Sequence, residues 1–169
     1  MKNTLIIIMA IACFNVISAQ KDVNIEFTTD KNVILNGTTL TTETSVEDIK
    51  TILGTPTVYK SYSSGKTNYH YNDLGIAFHT VKDKLLFIGV NFNWDGDKTF
   101  PENSYTGTFK IDDLLIDKTS GNSIIDNIKM VDVIAIMPNL YMSNPKVEST
   151  PMIIGFKDDV VTQIGFEFH

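Results

Sequence analysis

Two histidines, His70 and His79, stand in the stretch TNYHYNDLGIAFH. Imidazole is the side chain best suited to acid–base work or metal ligation near neutral pH. If residues 72–75 close a tight turn, position 70 pairs with Ala77 and position 79 with Asn68. Both rings then fall on one sheet face as diagonal neighbours roughly 7–8 Å apart. That span lets two imidazoles share a ligand, but it is long for two ligands of one tetrahedral zinc. No third His or carboxylate stands at ligand spacing, and His169 is the terminal residue. Serines cluster in turns without a Gly-x-Ser-x-Gly elbow. Asp95-Gly96-Asp97, with Glu102 beyond, lacks the remaining ligands of an EF-hand and reads as a turn. The expectation is a noncatalytic protein with no cofactor and no metal. The alternative is a small periplasmic hydrolase or metal-dependent enzyme centred on His70 and His79.

The strands that position these histidines carry a different signal. Under the same pairing Tyr69 and Tyr71 share the core face with Ile76 and Phe78. In the following strand Leu86, Ile88, Val90 and Phe92 alternate as a second core row, provided that the Lys82-Asp83 connection has an odd loop length of about three residues. That register leaves Leu85, Phe87 and Asn91 on the helix-free face beside His70 and His79. An apolar centre with a polar rim is the usual form of a protein-binding surface. The expected binding residues are Phe87, Leu85, His70, His79 and Asn91, on an open sheet face.

The elements around them are legible from turn chemistry. Residues 33–35 and 38–41 flank Asn36-Gly37, a strong hairpin signal. Ser45-Val46-Glu47-Asp48 opens a helix with a box-like cap; Val46, Ile49, Ile52 and Leu53 form its apolar stripe, and Gly54 and Pro56 end it. Strands follow over 58–62, 66–72, 76–81 and 85–93. The second half repeats this plan with strands over 109–116, a helix over 122–129, and strands over 131–137, 152–156 and 160–168. IGVNFN at 88–93 and IGFEFH at 164–169 are nearly the same strand. Ile76 and Phe78 align with Ile154 and Phe156. The expected fold class is α+β: one antiparallel sheet with two short helices packed on one face, built from two degenerate tandem repeats. The divisions are a signal peptide at 1–19, an N-terminal repeat at 20–93, a linker loop at 94–107 and a C-terminal repeat at 108–169, forming one compact domain.

Composition bounds the function class. With 43% hydrophobic and 20% charged residues the chain is too apolar for disorder. A net charge of −6 without a basic cluster argues against nucleic acid. Lys2, the apolar run LIIIMAIACF and Ile17-Ser18-Ala19 meet the three-part pattern of an export signal cut before Gln20. A periplasmic or secreted location follows, with no transmembrane segment. Lipidation at Cys13, the only cysteine, is the rival reading.

The segment SVEDIKTILGTPT, followed by Tyr69-His70-Tyr71, resembles the periplasmic modules of the β-lactamase-inhibitor-like and small outer-membrane assembly lipoprotein (SmpA/OmlA) superfamily. There a short helix ends in Leu-Gly-x-Pro before an antiparallel sheet; here Leu53-Gly54-Thr55-Pro56 supplies the motif. The second half has Ile128-Lys129-Met130-Val131 at the corresponding point. The resemblance implies an inhibitor, immunity or envelope-assembly role, with a protein partner in the envelope or outside the cell.

Overall fold

The computed structural model describes residues 22–169. The expected signal peptide, its cleavage before Gln20 and the lipidation alternative at Cys13 lie outside the described residues. In chain order the elements are β1 (Asn24–Phe27), β2 (Val33–Leu35), β3 (Thr38–Leu40), α1 (Val46–Leu53), β4 (Thr57–Ser61), β5 (Lys66–Tyr71), β6 (Ile76–Val81) and β7 (Lys84–Asn91). They continue with β8 (Thr108–Ile111), β9 (Leu114–Ile116), α2 (Ile124–Asn127), β10 (Val133–Met137), β11 (Leu140–Ser143), β12 (Met152–Lys157) and β13 (Val160–Glu167).

The strands make two sheets, one of five in the order β3-β2-β1-β8-β9 and one of eight in the order β10-β11-β12-β13-β7-β6-β5-β4. Phe27 and Phe109 of the smaller sheet meet Phe166 of the larger at 4.9 and 6.1 Å between ring centres. Packing sheet against sheet buries one face of each, which is the organising contact of a mostly β fold. This overturns the expected α+β class with a single sheet and two helices. Among the described residues about 45% are strand and 10% helical, and only one helix exceeds a single turn.

Two local causes account for the difference. β1 pairs antiparallel with β2 and parallel with β8, so it gathers the hairpins β2-β3 and β8-β9 into a sheet of their own. A parallel contact between segments over eighty positions apart leaves no local sequence pattern. The expected helix over 122–129 shrinks to four residues because Ser123 makes no capping hydrogen bond and Ile128 is already extended. α1 forms as expected. Ser45 and Asp48 complete a reciprocal capping box, and Val46, Ile49 and Leu53 enter the common core.

Turn chemistry sets the hairpins. Asn36-Gly37, Lys82-Asp83 and Asp158-Asp159 each place two successive residues at positive φ and join directly paired strand ends. That backbone matches strand twist, so all three are two-residue turns. The odd offset expected of the Lys82-Asp83 loop is instead supplied by a β-bulge: His79 pairs with Phe87, but Thr80 pairs with Leu85. Leu86 is the extra residue. Leu85 therefore turns into the core at 2% exposure, while Leu86 is half-buried and outside it. This reverses the expected facing of both residues. The hairpin β12-β13 carries a bulge at the same distance from its turn, where Gly155 pairs with Gln163 and Phe156 with Val161. Phe78 faces Ile88 and Ile154 faces Ile164. The counterpart of Phe78 is thus Ile154, two positions short of the Phe156 expected from sequence alignment.

Candidate functional site

The outer face of the eight-stranded sheet, opposite the five-stranded sheet, holds four of the five expected binding residues. β5 and β6 pair Asn68 with His79 and His70 with Ala77, so both histidines are on this face as expected. Leu85 is on the other side, and its backbone N–H donates to the Thr44 carbonyl at 2.9 Å.

Residues 94–105 fold back over the first half of this face. The side-chain amide of Asn91, 1% exposed, lies 2.9, 3.3 and 3.1 Å from the carbonyls of Pro101, Glu102 and Asn103, and the Tyr105 N–H donates to the Asn91 carbonyl at 2.6 Å. His70 Nε2 is 2.9 Å from the Thr99 carbonyl. A carbonyl can only accept, so Nε2 carries the proton. The His70 ring stacks on Tyr59 at 4.3 Å, within 7° of parallel. Burial lowers its pKa, with the Thr99 contact opposing. The stretch expected to be a linker is a cover, and Asn91 and His70 are its anchors rather than free binding groups.

His79 is held differently. Its ring stacks on Phe87 at 4.9 Å, and Nε2 is buried without a hydrogen-bond partner, as is Asn68 Oδ1 opposite it. Burial pushes the pKa down to about 4, helped by the charges of Lys66 and His70 and opposed by Asp97. A ring neutral throughout the physiological range is poorly matched to proton transfer near pH 7. The histidines also open on different clefts: His70 lines one of about 400 Å³ beside Tyr59 and Trp94, and His79 lines one of about 350 Å³ beside Phe87. Among the described residues, no three His, Cys, Asp or Glu side chains converge as metal ligands.

Phe87 is half-buried. Its ring lies across the Gly89–Gly165 pair, meets Phe100 edge-on at 5.9 Å, and floors the cleft that Leu86, Leu140 and Ile153 extend. Lys66, Asp97, Gln163 and Glu167 form its polar rim. From there the same face continues apolar toward the sheet edge. Ile153 pairs with Met142 and Met142 with Ile134, which places the three side chains on one side of three adjacent strands. Ile153 and Met142 are half-buried, and Ile134 is 48% exposed. Sequence reasoning missed this half of the face. The sequence carries little strand signal at β11, because LYMS is short and follows Pro138-Asn139 closely.

A family model described as a domain of unknown function (DUF7738) matches residues 24–126, more than half of the chain. The chain belongs to the DUF7738 family. The DUF7738 match covers both histidines, Phe87, Asn91 and residues 94–105, and ends inside α2. Leu140, Met142 and Ile153 lie beyond the DUF7738 span. No curated protein and no solved structure matches the chain. No described helix is long and apolar enough to cross a membrane.

Proposed function

We propose that this chain is an exported, noncatalytic binding protein that holds a protein partner on the outer face of its eight-stranded sheet. The observation that carries the reading is the apolar run from Phe87 through Leu140, Ile153 and Met142 to Ile134, rimmed by Lys66, Asp97 and Glu167. Apolar centres with charged rims are where interface hot spots concentrate. Of the expected residues the site keeps Phe87 and His79 without Leu85, His70 and Asn91, and it extends toward β10–β13 from the border formed by Asp97 and Phe100 of the cover. An inhibitor, immunity or envelope-assembly role fits such a surface, and the Leu53-Gly54-Thr55-Pro56 resemblance points the same way. The export signal at 1–19 would deliver the chain to the periplasm or beyond it.

Internal duplication is part of this proposal. The order β2-β3-α1-β4-β5-β6-β7 is followed by β8-β9-α2-β10-β11-β12-β13, and the two Ile-Gly strands pair at the sheet centre. These features support descent from one repeated unit, with the outer face of the second copy left open for a partner.

The test is affinity capture from the native host by the wild-type protein and by Ile153→Glu and Leu140→Glu variants. A partner retained by the wild type and lost at least about tenfold by both variants, with folding intact, is the expected result. A partner held equally by all three would place binding elsewhere. Loss of an activity on changing His70 and His79 together, with capture unaffected, would favour the enzyme reading.

A further inference from the structure

The cleft beside His70 is lined by two large aromatic rings left in water: Tyr59 is 43% and Trp94 42% exposed. Both are held in place. Tyr59 is the extra residue of a bulge in β4, where Val58 pairs with Tyr69 and Lys60 with Asn68, and a bulge re-aims a side chain. One face of its ring is taken by His70, which the Thr99 carbonyl fixes in turn. The Trp94 indole N–H donates to the Asp97 carbonyl at 3.2 Å, and the Asp97 N–H donates to the Asp95 carboxylate at 3.0 Å. That N–H is the only polar group of an indole, so Trp94 offers the cleft apolar surface alone. The polar part of the lining is Asn72, Asn103, Lys98 and Glu102. Among the described residues none of these four side chains makes a hydrogen bond or an ion pair within the protein.

We propose that this cleft binds a neutral saccharide built of gluco-configured pyranose rings. Such a ring carries only C–H bonds on both faces and its hydroxyls around the rim. The faces complement the electron-rich faces of Tyr59 and Trp94. Hydroxyls both donate and accept, as do the side-chain amides of Asn72 and Asn103. Other ligand classes are matched less well. One lysine against one glutamate leaves the lining without net charge, and the chain as a whole carries −6, so an anion finds no field to draw it in. A cation seated over the rings would share the cleft with Lys98. An aliphatic side chain of a partner would meet no Leu, Ile, Val or Met among the described lining residues. The volume of about 400 Å³ is within the range of small-ligand sites. This cleft shares only Phe100 with the one proposed for a protein partner, so the two readings stand or fall separately.

Trp94 is the only tryptophan of the chain, so its fluorescence reports on this cleft directly. The probes are cellotetraose and N-acetylchitotetraose, with choline as the cationic alternative and adenosine monophosphate as the anionic, base-stacking one. A saturable change in emission with at least one of the two saccharides, at a Kd below about 10 mM, is the expected result. Tyr59→Ala keeps the reporter and should weaken that saccharide at least about tenfold, with an unchanged far-ultraviolet circular dichroism spectrum. Trp94→Ala, followed by calorimetry, should do the same. No other ring packs on Trp94 among the described residues, so this variant decides the matter if Tyr59→Ala loses the fold. No response to either saccharide up to that limit, tighter binding of choline or adenosine monophosphate, or full affinity in either folded variant would overturn the proposal.

Discussion

Gly89 and Gly165 are direct cross-strand partners at the centre of the eight-stranded sheet, and the ring of Phe87 lies over both of them. The two Ile-Gly strands of the sequence thus meet glycine to glycine, and the space that two Cβ atoms would occupy is filled by one aromatic ring. The flat floor of the apolar cleft depends on this relationship.

Replacing Gly165 by Ala tests it. A Cβ at Gly165 would collide with Phe87 Cζ and Cε2, while its backbone is compatible with any residue. The ring must lift, so Gly165→Ala should cost about 1–3 kcal/mol, the range for overpacking. Chemical denaturation measures the cost, and Phe87→Leu should relieve part of it in the double variant. Additive costs would show that the ring is not what the new methyl meets.

Asn91 should prove to be the latch of the cover. Its amide serves a cluster of three main-chain carbonyls from residues 101–103. Asn91→Ala leaves them without that donor, at a cost of about 1–3 kcal/mol. Hydrogen exchange should quicken at Tyr105, whose N–H bonds to the Asn91 carbonyl, and leave β12 protected. Uniform quickening across both sheets would instead mean global destabilisation.

The pH dependence of stability follows from His79. Its folded pKa is about 4 against an ordinary value of 6.5, so between those values the unfolded chain binds a proton that the folded one refuses. Stability should be whole above about pH 6.5 and fall as pH drops toward 4, by at most about 3 kcal/mol. Burial of His70 contributes in the same direction. Equilibrium unfolding from pH 4 to 8 should show a slope that flattens in His79→Phe, which keeps the stack on Phe87 and removes the unpartnered nitrogen. An unchanged slope would assign the effect to other groups.

Phe78 and Phe156 occupy different places in their hairpins, and their truncation should differ accordingly. Phe78 is fully buried and stacks on Tyr69 at 4.6 Å and Tyr71 at 5.9 Å, whereas Phe156 sits beside a bulge, 6% exposed, against the half-buried Tyr141. Phe78→Ala should cost about 3–5 kcal/mol and Phe156→Ala toward 3 or less. Denaturant midpoints compare them, and equal costs would count against the two-position offset between the hairpins.

Features governed by near neighbours were determined by the sequence alone. The capping box of Ser45 and Asp48, the turn at Asn36-Gly37, and the register that sets His70 opposite Ala77 all rest on contacts within a few residues or on strict alternation. Only the tertiary structure decided the rest. The parallel contact of β1 with β8 joins segments with no local signature, and it converts an expected sheet-and-helix layer into two packed sheets. The bulge at Leu86 reverses Leu85, because one extra residue flips every side chain beyond it to the other face. Residues 94–105 are rich in turn formers, yet Asn91, His70 and Phe87 hold them against the sheet. Whether such a segment hangs free or covers a surface depends on partners distant in sequence, which is why the covering of His70 and Asn91 was not legible in the sequence.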